Sequence, residues 1–156
     1  MRARRTAIAG VAVAVAMLAT LLVVSMLRPA ASVDDRPPAA VIERGRAIYQ
    51  GNCATCHGAA GEGESANWKT PNADGTYPAP PHDSTGHTWH HADRVLFEIV
   101  KDGGGRYNSP TFRSRMPAWS QTLSDDDIRA VLAYIKTLWG PSERDAQRDL
   151  TERSPR

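Results

Sequence analysis

The sequence predicts an all-α chain: a small domain of three to four short helices and long loops, preceded by one N-terminal transmembrane helix. Three observations predict it. Apolar residues recur at helical spacing in three separate segments, no segment alternates as a strand would, and a long uncharged run stands near the N-terminus. A chain of 156 residues has room for one small domain with appendages.

Residues 6–27 are 22 uncharged residues rich in Ala, Val and Leu. As a helix rising about 1.5 Å per residue they cover roughly 33 Å, the depth of a bilayer's hydrocarbon core. Segment 1–28 therefore reads as a membrane anchor. A cleaved signal sequence is the alternative, with Arg2, Arg4 and Arg5 as its basic end and Pro29, Ala30 and Ala31 as small residues after it, although its apolar core is normally only about 7–15 residues. In either case the arginines before the run, with Asp34 and Asp35 beyond it, put the N-terminus inside and the rest of the chain outside the cytoplasm. A buried core helix is excluded by the length and by the lack of a polar stripe.

Residues 1–28 hold four arginines and no acid, so the formal charge of +2 conceals a mildly acidic remainder. That remainder lacks the clustered basic face, interleaved with aromatics, that nucleic acid would require. Residues 29–40 turn to Pro, Ala and charge, and Pro29, Pro37 and Pro38 favour an extended linker.

The domain proper is expected over 41–140. Ile42, Gly45, Ile48 and Tyr49 lie on one face of a first helix over 41–52. Residues 58–86 are rich in Gly and Pro without a period, and read as a loop made rigid by something it wraps. Val95, Leu96, Ile99 and Val100 mark a short second helix beginning near His91 and stopped at Gly103–Gly105. Ser124 reads as the N-cap of a third, with Asp125, Asp126 and Asp127 where the helix dipole favours acids. Ile128, Val131, Leu132, Ile135, Leu138 and Trp139 form its apolar face, and Gly140-Pro141 ends it. The tail, 141–156, is polar with almost nothing to bury, and is expected to be disordered. So thin an apolar inventory calls for a metal or another staple.

The two cysteines stand in Cys53-Ala54-Thr55-Cys56-His57, the C-x-x-C-H pattern of covalent c-type haem attachment. On a helical turn, residues three apart share a face, so both sulfurs can reach the vinyl groups on one porphyrin edge while His57 offers its imidazole to the iron. Three other readings fit less well. A redox dithiol needs a βαβ setting, and a disulfide between residues three apart closes a loop too small to stabilise much. A zinc half-site needs two more ligands, and the spacing of His82, His87, His90 and His91 matches no standard finger.

Gly45 and Tyr49, the run from Cys53 to Gly58, Pro80, Gly103, Met116-Pro117-Ala118-Trp119 and the stretch from Tyr134 to Trp139 together resemble the class I cytochrome c family. The likeness is strongest to single-haem domains similar to those in cbb3-type oxidase subunits, and covers about 41–139. It implies a small cytochrome c-like fold around one covalent haem c, with Met116 as the second axial ligand. Composition agrees, since Met116 is the sole methionine after residue 28. It also implies that the Pro80 carbonyl accepts a hydrogen bond from Nδ1 of His57, with Pro81 as the alternative acceptor, and that Gly45 allows close helix packing near Tyr134, with Tyr49 filling the space beside them.

His82 departs from the family, which more often has an aliphatic residue there; either the side chain points outward or the surroundings of the haem are wetter than usual. His87, His90 and His91 read as a solvated loop leading into a helix, with a copper or zinc site, or a His in place of Met116, as the sharper options. Lys69, Arg106, Arg113 and Arg115 lie in loops from which they could meet haem propionates.

Two filled axial positions leave iron free to change charge but not to bind a substrate. The functional expectation is a membrane-anchored carrier of single electrons, on the periplasmic side, between extracytoplasmic or membrane redox partners and towards a terminal oxidase in a respiratory complex. The alternatives are a haem subunit of a larger oxidoreductase or peroxidase, and a copper- or zinc-handling assembly factor built on the histidine loop.

Overall fold

Five α-helices without a β-strand make up the described part of the computed structural model, which covers residues 36–154. The chain divides into two units, Met1–Arg36 and Pro37–Arg156, and all described residues but Arg36 belong to the second. The apolar run at 6–27 lies outside the described residues, as do the anchor or signal sequence expected over 1–28 and most of the linker. Among the described residues no helix is long and apolar enough to cross a membrane.

Helix α1 (Ala39–Asn52) starts two residues before the expected point, because Pro38 is extended and its carbonyl accepts from Val41 and Ile42. A single further turn, α2 (Ala54–His57), carries the cysteine motif. Helix α3 (Asp93–Asp102) follows a 3-10 turn at Thr88–His90. Helix α4 (Asp125–Thr137) is the central one, burying Ile128, Ala130, Val131, Leu132, Tyr134 and Ile135.

The main packing is α1 across α4, and Gly45 makes it possible. A β-carbon on Gly45 would lie 1.9 Å from the Ala130 carbonyl oxygen and 3.1 Å from Tyr134 Cβ, so the two backbones touch at a point where no other residue fits. One turn on, Tyr49 is fully buried, tilted against Tyr134 with ring centroids 5.2 Å apart. Leu96 and Val100 of α3, with Trp139, complete a small core.

Helix α4 begins with a capping box. The Ser124 hydroxyl accepts from the Asp127 amide at 3.1 Å, and the Asp127 carboxylate accepts from the Ser124 amide at 3.1 Å. Ser124→Ala is expected to cost about 1 kcal/mol and to lower the melting temperature by roughly 4 °C at neutral pH. The Ser124 hydroxyl and amide, with Arg44 adding to them, hold the Asp127 carboxyl below the usual carboxylate range. That contribution is complete above the ordinary aspartate pKa and is lost as pH falls through the lower folded value. The gap between wild type and Ser124→Ala, read from thermal melts, should therefore narrow in acid.

The tail corrects the sequence expectation. Residues 141–156 were expected to be disordered, yet Pro141–Arg153 forms helix α5. The preceding helix already stops at Thr137, capped by Leu138, ahead of the Gly140-Pro141 pair expected to end it; that pair starts the next helix instead, since proline suits the first helical position. The helix is held by polar contacts instead of an apolar face. Gln147 is only 2 % exposed, and its amide donates to the His91 carbonyl, the Asp93 carboxylate and the Thr151 hydroxyl at 3.2, 2.6 and 3.1 Å. The Gly140 amide donates to the Ser84 hydroxyl at 2.9 Å, and the Arg144 guanidinium donates to the Trp139 carbonyl.

Candidate functional site

The cysteine motif occupies one helical turn immediately after α1. The amides of Cys56 and His57 both donate to the Cys53 carbonyl, at 3.1 and 2.9 Å. Gly58 then ends the turn at φ 82°, a left-handed conformation suited to glycine, and the chain departs into the long loop. Cys53 is half-buried and Cys56 exposed, and the two are not joined in a disulfide. Burial pushes the Cys53 thiol up to about 11, so in the absence of a bond to carbon it is a neutral thiol at physiological pH.

His57 is buried at 7 % exposure. Its Nδ1 lies 2.8 Å from the Pro80 carbonyl oxygen. A carbonyl can only accept, so the proton sits on Nδ1 and the lone pair is left on Nε2, the nitrogen available to a metal. Burial lowers the affinity of the ring for a second proton, against an opposing pull from the Pro80 hydrogen bond, and keeps that lone pair free. The Pro81 carbonyl is used differently, accepting from the Thr88 hydroxyl at 3.4 Å. Tyr49 closes the turn from behind, its hydroxyl donating to the Gly58 carbonyl at 3.0 Å, and burial lifts that phenol well above its ordinary range.

The loop from 58 to 86 is knitted by main-chain bonds. The Gly63 amide donates to the His57 carbonyl at 2.7 Å, the Glu64 amide to Ala79 at 3.0 Å, and the amides of His82 and Asp83 both to Gly61, at 2.6 and 3.1 Å. These bonds bring Pro80 back to Nδ1 of His57.

Met116 is half-buried and packs on the same core as Cys53, Ala54 and Trp89. It is placed by main-chain contacts on both sides: its amide donates to the Ser114 hydroxyl at 3.1 Å and its carbonyl accepts from the Gly104 amide at 3.1 Å.

The cationic side chains that the sequence put forward all have protein partners. Arg115 pairs with Glu64 at 2.7 Å and Arg106 with Asp102 at 2.6 Å. Arg113 donates to the Asp74 carbonyl at 3.4 Å, and Lys69 lies 4.9 Å above the Trp68 ring.

The histidine loop does not gather into a metal site. His90 is exposed and stacks on Trp89 at 3.6 Å, while His87 stacks on Trp68 at 4.9 Å and meets His91 edge-on at 5.4 Å. Among the described residues no group of three or more His, Cys, Asp or Glu could hold a metal ion. His87 and His91 are half-buried, so the reading as a solvated loop describes His90 alone.

Sequence reasoning passed over Trp89. Its indole Nε1, like Nδ1 of His87, is buried without a hydrogen-bond partner. A buried indole N–H is costly unless an acceptor meets it. Such an orphan, with Trp89, Met116 and Cys53 all only half-buried against the core, fits a cofactor that brings both apolar surface and carboxylates. A tryptophan inside a histidine-rich segment was the available signal, since indoles seldom decorate solvated loops.

A helical domain with C-x-x-C-H on the turn after its first helix, its His held through Nδ1, is the construction of a covalent haem protein. The family model described as Cytochrome c matches residues 42–139, and the chain belongs to the cytochrome c family, whose cofactor is covalent haem c. The cbb3-type cytochrome c oxidase subunit CcoP of Azospirillum brasilense is 30 % identical over 103 residues, which are 65 % of this chain and 30 % of that subunit. Cytochrome c6 of Chlorolobion braunii is 28 % identical over 96 residues, 58 % of this chain and 83 % of that protein. A solved structure, cytochrome cL of Methylophaga aminisulfidivorans, aligns over 79 % of this chain and 69 % of its own with 21 % identity and a TM-score of 0.43. The chain spans about 30 % of the length of the oxidase subunits it matches.

Proposed function

We propose that this protein is a membrane-anchored carrier of single electrons, in which Cys53 and Cys56 bind haem c through thioethers and His57 and Met116 are its two axial ligands. The observation that carries the reading is the His57 ring, turned by the Pro80 carbonyl so that Nε2 is left as a ligand one residue after the second cysteine. When bound, haem c supplies a one-electron iron couple. The chain's own part is to keep that iron closed to other chemistry: with an imidazole on one side and a thioether on the other, dioxygen, peroxide or a substrate must first displace a ligand. The Met116 thioether and the apolar core against which Met116 and Trp89 pack favour the less charged ferrous state, which raises the potential relative to two imidazoles.

Residues 6–27 would anchor the domain on the periplasmic side, and the linker would hold it at high effective concentration beside membrane partners. Relatives named as oxidase subunits support a respiratory complex as the partner, with transfer towards a terminal oxidase. The same names favour a second reading, a haem subunit of a larger oxidoreductase; it predicts a catalytic subunit that co-purifies in fixed ratio after detergent extraction.

The visible spectrum of the haem-loaded protein tests the ligand set. Sharp low-spin bands are expected on reduction, with a weak far-red ferric band from thioether ligation and no response to peroxide. Met116→Ala should abolish the far-red band and leave haem covalently attached. A variant with the wild-type spectrum would remove Met116 from the ligand set.

A further inference from the structure

The ring of His82 stacks on the ring of His57, with centroids 4.0 Å apart and planes 22° from parallel. The side chain that the sequence allowed to point outward instead lies against the face of the imidazole that the proposed function makes an axial ligand. Pro80 and His82 restrain that imidazole in different ways. The Pro80 carbonyl restrains one nitrogen along a line, whereas a flat ring against its face opposes tilting out of plane.

His82 is itself held on several sides. Its Nδ1 lies 2.9 Å from the Thr88 hydroxyl. Thr88 donates its own proton to the Pro81 carbonyl at 3.4 Å, so in that arrangement the His82 Nδ1–H is the donor to Thr88. Thr88 is buried at 7 % exposure and begins the 3-10 turn. Along the backbone, the His82 amide donates to the Gly61 carbonyl at 2.6 Å, and the His82 carbonyl accepts from the Trp139 indole at 2.8 Å. Tyr49 meets the ring edge-on, at 6.0 Å between centroids. A side chain that merely filled space would need none of the directional contact to Thr88.

We propose that His82 is a positioning residue for the axial imidazole: clamped by Thr88, it fixes the plane of the His57 ring and sets a dipole against the ligand. The inference rests on the reading of His57 as an axial ligand. Two consequences follow from the geometry. Rotation of a ligand plane changes the electronic anisotropy of a low-spin ferric centre. A polar, polarisable ring beside the ligand stabilises the more positive ferric state better than an aliphatic side chain does.

The test uses the haem-loaded protein and three substitutions, His82→Leu, Thr88→Val and Thr88→Ser, each read by the midpoint potential and by the largest g value of the ferric low-spin signal. His82→Leu is expected to raise the potential and displace the g value. Thr88→Val, which keeps the shape and loses the hydroxyl, should move both in the same directions by a smaller amount, while Thr88→Ser stays at wild type. A His82→Leu protein with unmoved potential and g value overturns the proposal, as does a Thr88→Val protein indistinguishable from Thr88→Ser. Should His82→Leu fail to accumulate, the Thr88 pair decides alone. A wild-type protein without a low-spin, six-coordinate spectrum overturns the ligand assignment and this inference together; a low-spin wild type with unmoved variants overturns this inference only.

Discussion

The double substitution Cys53→Ser, Cys56→Ser is expected to give a chain without haem after denaturing electrophoresis, and without a cooperative thermal transition. The first outcome follows from losing both sulfurs. The second follows from how little the protein buries. Among the described residues the connected core is nine side chains, of which Tyr49, Ile128 and Val131 alone are essentially inaccessible. Met116, Trp89, Phe97 and Leu123 lie half-exposed around them. A domain of this size seldom folds on so small a core without a metal or covalent staple, because the cost in chain entropy grows with every residue ordered in the long loop. Haem staining of a gel and far-UV circular dichroism on heating check the two halves separately. A sharp transition in the haem-free double variant would show that the helices stand without their cofactor.

Gly45→Ala should be strongly destabilising, and Gly51→Ala in the same helix should have the opposite sign. At position 45 the new methyl would overlap the Ala130 carbonyl, which belongs to the backbone of α4 and cannot rotate away. The helices must separate, and overpacking of this kind costs about 3 kcal/mol, roughly 12 °C in melting temperature for a domain of this size. At position 51 nothing lies within 4 Å of the added carbon, and exchanging glycine for alanine in a helix stabilises by about 0.5–1 kcal/mol. Melts of the two haem-loaded variants beside wild type decide the matter, and a similar shift in both would place the α1–α4 contact elsewhere.

These outcomes indicate where the sequence was informative. Helices α1, α3 and α4 announce themselves because their stability comes from an apolar face, and a face leaves a period: Gly45 and Tyr49 in one, Leu96 and Val100 in the next, Ile128 to Ile135 in the third. Ser124 announces the start of α4 because a cap is a local bond between near neighbours. Helix α5 leaves no such trace. Its anchor is the Gln147 amide, bonded to His91 and Asp93 more than fifty residues away, and long-range polar contacts have no period to read. The cysteine motif was legible as chemistry, since its spacing is fixed by one porphyrin edge. The choice between Pro80 and Pro81 was not, because it depends on how the loop is folded back by Gly61 and Gly63. His82 could be singled out as unusual, but its contact with His57 depends on the same fold-back.

The loop that carries Pro80 to His57 is anchored at its two ends through peptide groups, His57 to Gly63, Glu64 to Ala79, and His82 and Asp83 to Gly61, with the Glu64 carboxylate adding a bond from the Ala79 amide at 2.9 Å. Peptide groups are common to every residue type but proline. Side chains between 64 and 79 can therefore drift over evolutionary time, and the span between those anchor points can lengthen or shorten, while the imidazole stays where it is.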